Sequence, residues 1–209
     1  GYWYLFDYHY GARQTGFQYL ANGDKTVYYN GNGQMQYGEQ QIGGHWYLFD
    51  NHYGARQTGF QYLANGNKTV YYNDNGQMQY GEQQINGYWY LFDNHYGARQ
   101  TGFQYLANGN KTVYYNGNGQ MQYGEQYING YWYLFDNHYG ARQTGFHYLS
   151  NGNKTVYYNG NGQMQYGEQY IDGYWYLFDN HYGARQTGFH YLSNGNKTVY
   201  YNGNGQMQY

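Results

Sequence analysis

A repeat of 43 residues runs through the whole chain and limits what it can fold into. Its clearest marker is a tryptophan found once in every copy, at Trp3, Trp46, Trp89, Trp132 and Trp175. Because the copies are nearly identical, each must form the same structural unit and pack against the next, as in solenoid proteins. We therefore interpret the chain as a single repeat array with copies at 1–43, 44–86, 87–129 and 130–172 and a partial copy at 173–209.

The composition indicates an ordered structure built on aromatic rings. The 209 residues include 37 Tyr and 34 Gly, and 25% of them are aromatic whereas only 11% are charged. Disordered chains are poor in aromatic residues, and a buried aromatic side chain removes about 150–250 Å² of surface from water. Neutral Asn and Gln supply much of the polar surface, which therefore favours hydrogen bonding over ionic contacts.

Several functions are excluded by the same composition. The net charge of −2 leaves no basic patch for nucleic acid, and no apolar run is long enough for membrane insertion. The absence of Cys removes disulfides, zinc–thiolate clusters and thiol nucleophiles, and the only two serines, Ser150 and Ser193, do not recur in every copy. We expect no cofactor, no metal and no enzymatic activity, because repetition of one site favours multivalent binding.

Each copy contains two related halves, and each half is predicted to form a β-hairpin. In the first copy, residues 3–7 and 11–17 form one half, and residues 26–30 and 33–39 form the other. Both contain short aromatic or β-branched runs bounded by Asn, Asp and Gly, which are strand and turn signals. No segment has helical periodicity. The predicted fold is an all-β, elongated β-solenoid of stacked β-hairpins, with two hairpins per copy.

Strand alternation assigns the side chains to two faces. It places Tyr4 and Phe6 opposite Trp3 and Leu5, and Val27 and Tyr29 opposite Thr26 and Tyr28. We expect one face to line the interior and the other to form grooves between successive hairpins. Trp3, Arg13 and Phe17 are assigned to the groove face.

The sequence resembles the cell-wall-binding repeat superfamily, which includes choline-binding repeats and the glucan-binding repeats of glucansucrases. The resemblance rests on Trp-Tyr-Leu-Phe-Asp at 3–7 with Thr-Gly-Phe at 15–17, and on Tyr-Tyr-Asn at 28–30 with Gly-Gln-Met at 33–35. It is closest to the repeat tails of lactic-acid-bacterial wall hydrolases. It implies a secreted, cell-surface or cell-wall-associated protein that binds a cell-wall polysaccharide, teichoic acid or α-glucan.

The sequence departs from the choline-binding pattern at three positions. In those relatives an aromatic cage holds the ammonium by cation–π attraction. Here Thr26 and Glu39 stand where the family has aromatic residues, and Arg13 replaces a methionine. Choline therefore ranks below a neutral or phosphate-bearing polysaccharide.

The candidate ligand-binding residues are one Trp, Arg, Phe and Tyr position in each copy. An aromatic platform suits the C–H face of a sugar, and Arg suits a phosphate, although an Arg packed on a ring or paired with a carboxylate is the structural alternative. The positions are Trp3, Arg13, Phe17, Tyr28, Trp46, Arg56, Phe60, Tyr71, Trp89, Arg99, Phe103, Tyr114, Trp132, Arg142, Phe146, Tyr157, Trp175, Arg185, Phe189 and Tyr200.

The recurring Asp-x-His-Tyr segments, such as 7–10, are interpreted as turns capped by their own Asp and not as metal sites. The alternative to a wall- or glucan-binding module attached to a larger protein is a structural spacer or self-associating adhesive array, in which all the aromatic residues serve packing.

Overall fold

The structure is a computed structural model that describes all 209 residues, and it contains strands and turns but no helix. It accordingly has no helix of the length and hydropathy that a membrane span requires. The chain separates into two compact units. The first comprises residues 1–101 and 117–120, and the second comprises residues 102–116 and 121–209.

Each unit is a series of antiparallel hairpins between consecutive strands. The strands of the first unit are β1 (Gly16–Leu20), β2 (Lys25–Tyr29), β3 (Gly38–Ile42), β4 (His45–Phe49), β5 (Gly59–Leu63), β6 (Lys68–Tyr72), β7 (Gly81–Ile85) and β8 (Tyr88–Phe92). Those of the second unit are β9 (Gly102–Leu106), β10 (Lys111–Tyr115), β11 (Gly124–Ile128), β12 (Tyr131–Phe135), β13 (Gly145–Leu149), β14 (Lys154–Tyr158), β15 (Gly167–Ile171), β16 (Tyr174–Phe178), β17 (Gly188–Leu192), β18 (Lys197–Tyr201) and β19 (Met207–Gln208). Strand β19 pairs with β18, and every other sheet is two-stranded.

The hairpins confirm the predicted β-solenoid class, with two hairpins per 43-residue copy, but their boundaries differ from those predicted. The segments predicted to pair, 3–7 with 11–17 and 26–30 with 33–39, are joined only through the single bridges Phe6–Arg13 and Tyr29–Met35. The five-residue ladders instead join β1 to β2 and β3 to β4, across the predicted halves.

The two-residue turns explain the pairing of β3 with β4 and of the equivalent strands in later copies. Asn86 and Gly87, between β7 and β8, have φ angles of 50° and 84°. Two successive positive φ angles are the requirement of the tight turn whose twist matches antiparallel strands, and Asn-Gly satisfies it with little strain. In the first copy residues 2–6 form no ladder beyond the Phe6–Arg13 bridge, and the structure has nine hairpins with five-residue ladders.

The predicted alternation of faces is confirmed. Val27 and Tyr29 of β2 are buried, as are Tyr47 and Phe49 of β4, which correspond to Tyr4 and Phe6. Phe6 itself is 57% exposed, whereas Phe49 is buried against Phe17 and Tyr28 of the preceding hairpin. The core consists of small clusters, one containing Leu63, Val70, Tyr72 and Met78. A hairpin buries little alone, so these clusters depend on stacking between successive hairpins.

Candidate functional site

The tryptophans lie at the surface of the hairpins. Trp46, Trp89, Trp132 and Trp175 are 37–39% exposed. In the first unit Trp46 lines a cleft of about 680 Å³, which we call the tryptophan cleft; its other main lining residues are Glu39, Lys68, Met78, Tyr80, His95 and Tyr96. Of the candidate positions predicted from the sequence, Trp46 lines this cleft, whereas none of the candidate Arg, Phe or Tyr positions does.

The position of Trp46 follows from the pairing of β3 with β4. Alternation turns Tyr47 and Phe49 inward, so Trp46 points to the opposite face. Trp46 pairs with Gln41 and Leu48 pairs with Glu39, which places Glu39 on the same face as Trp46. The backbone oxygen of Trp46 accepts a hydrogen bond from the backbone N–H of Met78 at 2.9 Å, which fixes β4 against the following hairpin.

Glu39 places a half-buried carboxylate beside two phenols of the next hairpin. Burial, and secondarily the negative charge of Glu39, raise the pKa values of Tyr72 and Tyr80 above the ordinary value of 10.0. The hydroxyl of Tyr72 is buried and has no hydrogen-bond partner. Tyr80, but not the buried Tyr72, lines the cleft, which therefore combines the Trp46 ring with the carboxylate of Glu39 and the phenol of Tyr80.

Lys68 fixes a positive charge at the edge of the tryptophan cleft. Its Nζ donates a hydrogen bond to the backbone oxygen of Tyr96 at 2.7 Å and lies 5.9 Å from the centroid of the Tyr96 ring. The equivalent contact recurs from Lys25 to Tyr53, and within the second unit from Lys111 to Tyr139 and from Lys154 to Tyr182. These lysines recur with the 43-residue period, but only the structure shows that Lys68 lines a cleft.

The Asp-x-His-Tyr segments are turns capped by their own aspartate, as predicted. The Oδ1 atom of Asp50 accepts hydrogen bonds from the backbone N–H groups of His52 and Tyr53, at 2.9 and 2.6 Å. These hydrogen bonds, with that from Tyr53 contributing most, lower the pKa of Asp50, and the same happens at Asp93, Asp136 and Asp179. No three His, Cys, Asp or Glu side chains are grouped as metal ligands.

The candidate phenylalanines and tyrosines form a different cluster. The ring of Phe17 lies 5.0 Å from that of Tyr28 and 5.1 Å from that of Tyr47, which belongs to the next hairpin. The same trio recurs at Phe60, Phe103 and Phe146. The third ring was missed in the sequence because alternation assigns Tyr47 to the interior face, and only hairpin stacking brings it to Phe17.

The candidate arginines pack over a glycine turn. The Nη2 atom of Arg56 donates a hydrogen bond to the backbone oxygen of Asp74 at 3.1 Å, and a Cβ added at Gly76 would lie 2.5 Å from Arg56 Cδ. The backbone N–H of Arg56 donates to the oxygen of Thr26 at 2.7 Å. The structure thus gives Arg56 a packing role, while ligand binding by the arginines stays a prediction.

A smaller recess recurs at three equivalent places in the chain and was not predicted from the sequence. In the first unit it has a volume of about 390 Å³ and is lined by Glu39, Asp50, Gln61, Tyr62 and Ala64, among others. Its counterparts in the second unit measure about 340 and 350 Å³, with His147 or His190 in place of Gln61 and Ser150 or Ser193 in place of Ala64. Polar recesses thus repeat in register with the sequence.

Comparison with known proteins finds solved structures that have a similar fold. No protein-family model and no curated protein sequence matches the chain. Among solved structures it is similar to choline binding protein F from Streptococcus pneumoniae, crystallised in the presence of a peptidoglycan analogue, with a TM-score of 0.73 and 24% identity over 95% of this chain and 81% of that one.

Two further pneumococcal structures are similar. CbpJ gives a TM-score of 0.66 with 20% identity, covering 100% of this chain and 94% of CbpJ. The choline-binding domain of CbpL gives a TM-score of 0.66 with 16% identity, covering 94% of this chain and 98% of that domain. The resemblance drawn from the sequence is therefore confirmed at the level of the fold: the chain is a repeat solenoid of stacked β-hairpins, similar in structure to these proteins.

Proposed function

We propose that the chain is a non-catalytic, multivalent carbohydrate-binding module that anchors a larger protein to a cell-wall polysaccharide or an α-glucan. The tryptophan cleft is the observation that carries this proposal. Its volume of about 680 Å³ lies within the range of small-molecule sites, which combine apolar walls with a few placed polar groups. Trp46 supplies a face for sugar C–H groups, and Glu39 and Lys68 supply an acceptor and a donor for hydroxyls.

Repetition supports anchoring to a polymer. The residues that build the cleft recur with the 43-residue period, and tethering weak sites raises overall avidity by about 10²–10⁴ without new contacts. A polymer with many equivalent units is the ligand that exploits such an array. The similar fold of choline binding protein F, crystallised with a peptidoglycan analogue, agrees with a wall polymer outside the cell.

A neutral glycan is favoured over teichoic acid. The guanidinium of Arg56 already donates to the Asp74 carbonyl, and its side chain lies against Gly76. Phosphate recognition by Arg commonly uses a free bidentate fork. We therefore assign the arginines a structural role and the tryptophan cleft the binding role.

Choline or another quaternary ammonium group is the second candidate ligand, favoured by the trio of Phe17, Tyr28 and Tyr47. Cation–π binding needs the cation over an open ring face. Of the three rings only Phe17 is exposed, while Tyr28 is half-buried and Tyr47 is buried, so this candidate ranks below a glycan.

The test is binding of the full chain to purified cell walls, soluble peptidoglycan, dextran, teichoic acid and choline resin. We expect saturable binding to a neutral glycan that added choline does not displace. Replacing all five tryptophans by phenylalanine should weaken that binding, since the platform shrinks while most packing is kept. Tyr62→Phe, which removes only an exposed hydrogen bond to Asn67 outside the cleft, is the control.

The outcomes separate the alternatives. Elution from the polymer by choline would favour the quaternary ammonium site at Phe17. Binding to none of the polymers would contradict the proposal and support the structural spacer. Binding that survives all five Trp→Phe substitutions unchanged would show that the tryptophans serve packing.

A further inference from the structure

The copies differ at the residue that faces each tryptophan across its hairpin. Gln41 is paired with Trp46 and Gln84 with Trp89, in the first unit. In the second unit the same position is Tyr127, paired with Trp132, or Tyr170, paired with Trp175. The surrounding strands are otherwise almost unchanged in sequence, so this substitution alters the surface and not the scaffold.

The tyrosine adds a second exposed ring beside the tryptophan. The rings of Tyr127 and Trp132 have centroids 5.3 Å apart and are inclined at 51°, and those of Tyr170 and Trp175 are 5.3 Å apart at 52°. Tyr127 and Tyr170 are both 62% exposed. A pair that only stabilised the sheet through cross-strand packing would not need so much open ring surface.

The added ring lies on the cleft face of its hairpin. Glu125 pairs with Leu134 as Tyr127 pairs with Trp132, so alternation puts Glu125, Tyr127 and Trp132 on one face. Burial, then Tyr127 and Glu125, raise the pKa of Tyr166, the counterpart of the cleft residue Tyr80. Tyr127 is therefore close to the residues that correspond to the tryptophan cleft.

We propose that the β11–β12 and β15–β16 hairpins carry stronger glycan subsites than β3–β4 and β7–β8. Each Tyr–Trp pair binds two consecutive sugar units of a neutral polysaccharide, whereas a tryptophan facing glutamine binds one. Two adjoining, inclined rings suit a chain whose sugar faces turn from one unit to the next. This inference rests on the proposed function and adds a gradation of affinity along the chain.

The experiment exchanges residues that the copies themselves contain. The full chain carrying Y127Q and Y170Q is compared with one carrying Q41Y and Q84Y. Calorimetric titration uses soluble dextran and soluble peptidoglycan strands as probes. We expect the first variant to bind about tenfold more weakly, the effect of losing one stacking ring at each of two sites, and the second to bind more tightly.

A matched control lies on the opposite face of the same hairpins. Tyr131 and Tyr174 are each 50% exposed and pair with Ile128 and Ile171, away from the tryptophans. The variant Y131H with Y174H introduces the histidine that His45 already supplies at this position and should bind as the unaltered chain does. Thermal unfolding verifies that all variants fold.

The outcomes distinguish failure of the proposed function from failure of the gradation in affinity. If the unaltered chain binds neither probe, both the proposed function and this inference fail. If it binds one but Y127Q with Y170Q binds equally well, only the inference fails. An equal loss in the Y131H and Y174H control would also overturn it, because the effect would then not depend on the tryptophan face.

Discussion

Tyr72 and Tyr158 each bury a phenolic hydroxyl that has no hydrogen-bond partner. Their side chains are fully buried, and Tyr72 packs with Leu63, Val70 and Met78. An unpaired buried polar group costs about 1–3 kcal/mol of desolvation. Since Tyr→Phe removes that hydroxyl and keeps the ring, we expect Tyr72→Phe and Tyr158→Phe each to raise the free energy of unfolding by about 1 kcal/mol.

Tyr47 provides a control with the opposite expected sign. It is also buried, but its hydroxyl oxygen accepts a hydrogen bond from Nε2 of Gln77 at 3.3 Å. Tyr47→Phe removes an acceptor and leaves the Gln77 amide without it, so we expect a loss of about 0.5–1.5 kcal/mol. The same substitution in the same fold thus distinguishes the paired from the unpaired hydroxyl.

The assay is urea and thermal unfolding followed by circular dichroism. For a chain of 150–250 residues, 1 kcal/mol shifts Tm by about 2–4 °C, which is readily measured. Tyr72 and Tyr158 belong to different compact units, so the effect is tested twice. If both Tyr72→Phe and Tyr158→Phe lower Tm as much as Tyr47→Phe does, the buried hydroxyls are making favourable interactions and the reasoning is refuted.

Three further predictions concern pH and the turns. Burial raises the pKa of Tyr72 and Tyr158 above 10.0 and that of Tyr201 to about 12. As the pH rises, these tyrosines lose their protons in the unfolded chain before they do in the folded chain. Their contribution to stability is therefore complete below about pH 10 and should fall at higher pH, which unfolding midpoints measured across that range will test. The turn aspartates, such as Asp93, have lowered pKa values, so their contribution to the free energy of unfolding is complete above pH 3.8 and is lost as the pH falls below it. Asp93→Asn should reduce this acid sensitivity, which urea unfolding at several pH values measures. Gly76→Ala, at a φ of 75° and against Arg56, should cost at least about 1–2 kcal/mol in urea unfolding, whereas Gly117→Ala, which has open space and no positive φ, should be nearly neutral.

The sequence alone predicted the features that depend on local chemistry. The 43-residue repeat, the all-β class and two hairpins per copy follow from short aromatic runs separated by Asn, Asp and Gly. The inward position of Tyr47 and outward position of Trp46 follow from the side-chain period of two. These properties are fixed by neighbouring residues, which a sequence displays directly.

Hairpin boundaries required the folded chain. Four kinds of segment in each copy are rich in turn residues, namely the Asp-x-His-Tyr turn, the turn at 21–24, the turn at 30–33 and the two-residue turn before each tryptophan strand. Local propensity favours a reversal at all of them. Only the hydrogen-bonded ladders show that the long pairings are β1 with β2 and β3 with β4.

The tryptophan cleft was decided by tertiary structure for the same reason. Trp46 was predicted from one strand, but Glu39, Lys68 and Tyr96 come from segments far apart in sequence. Lys68 reaches the Tyr96 carbonyl across 28 residues, a contact without any local pattern. Near-identical copies share the same local preferences, so the sequence determines which face of a hairpin is exposed, while the packing of one hairpin on the next determines which exposed residues meet.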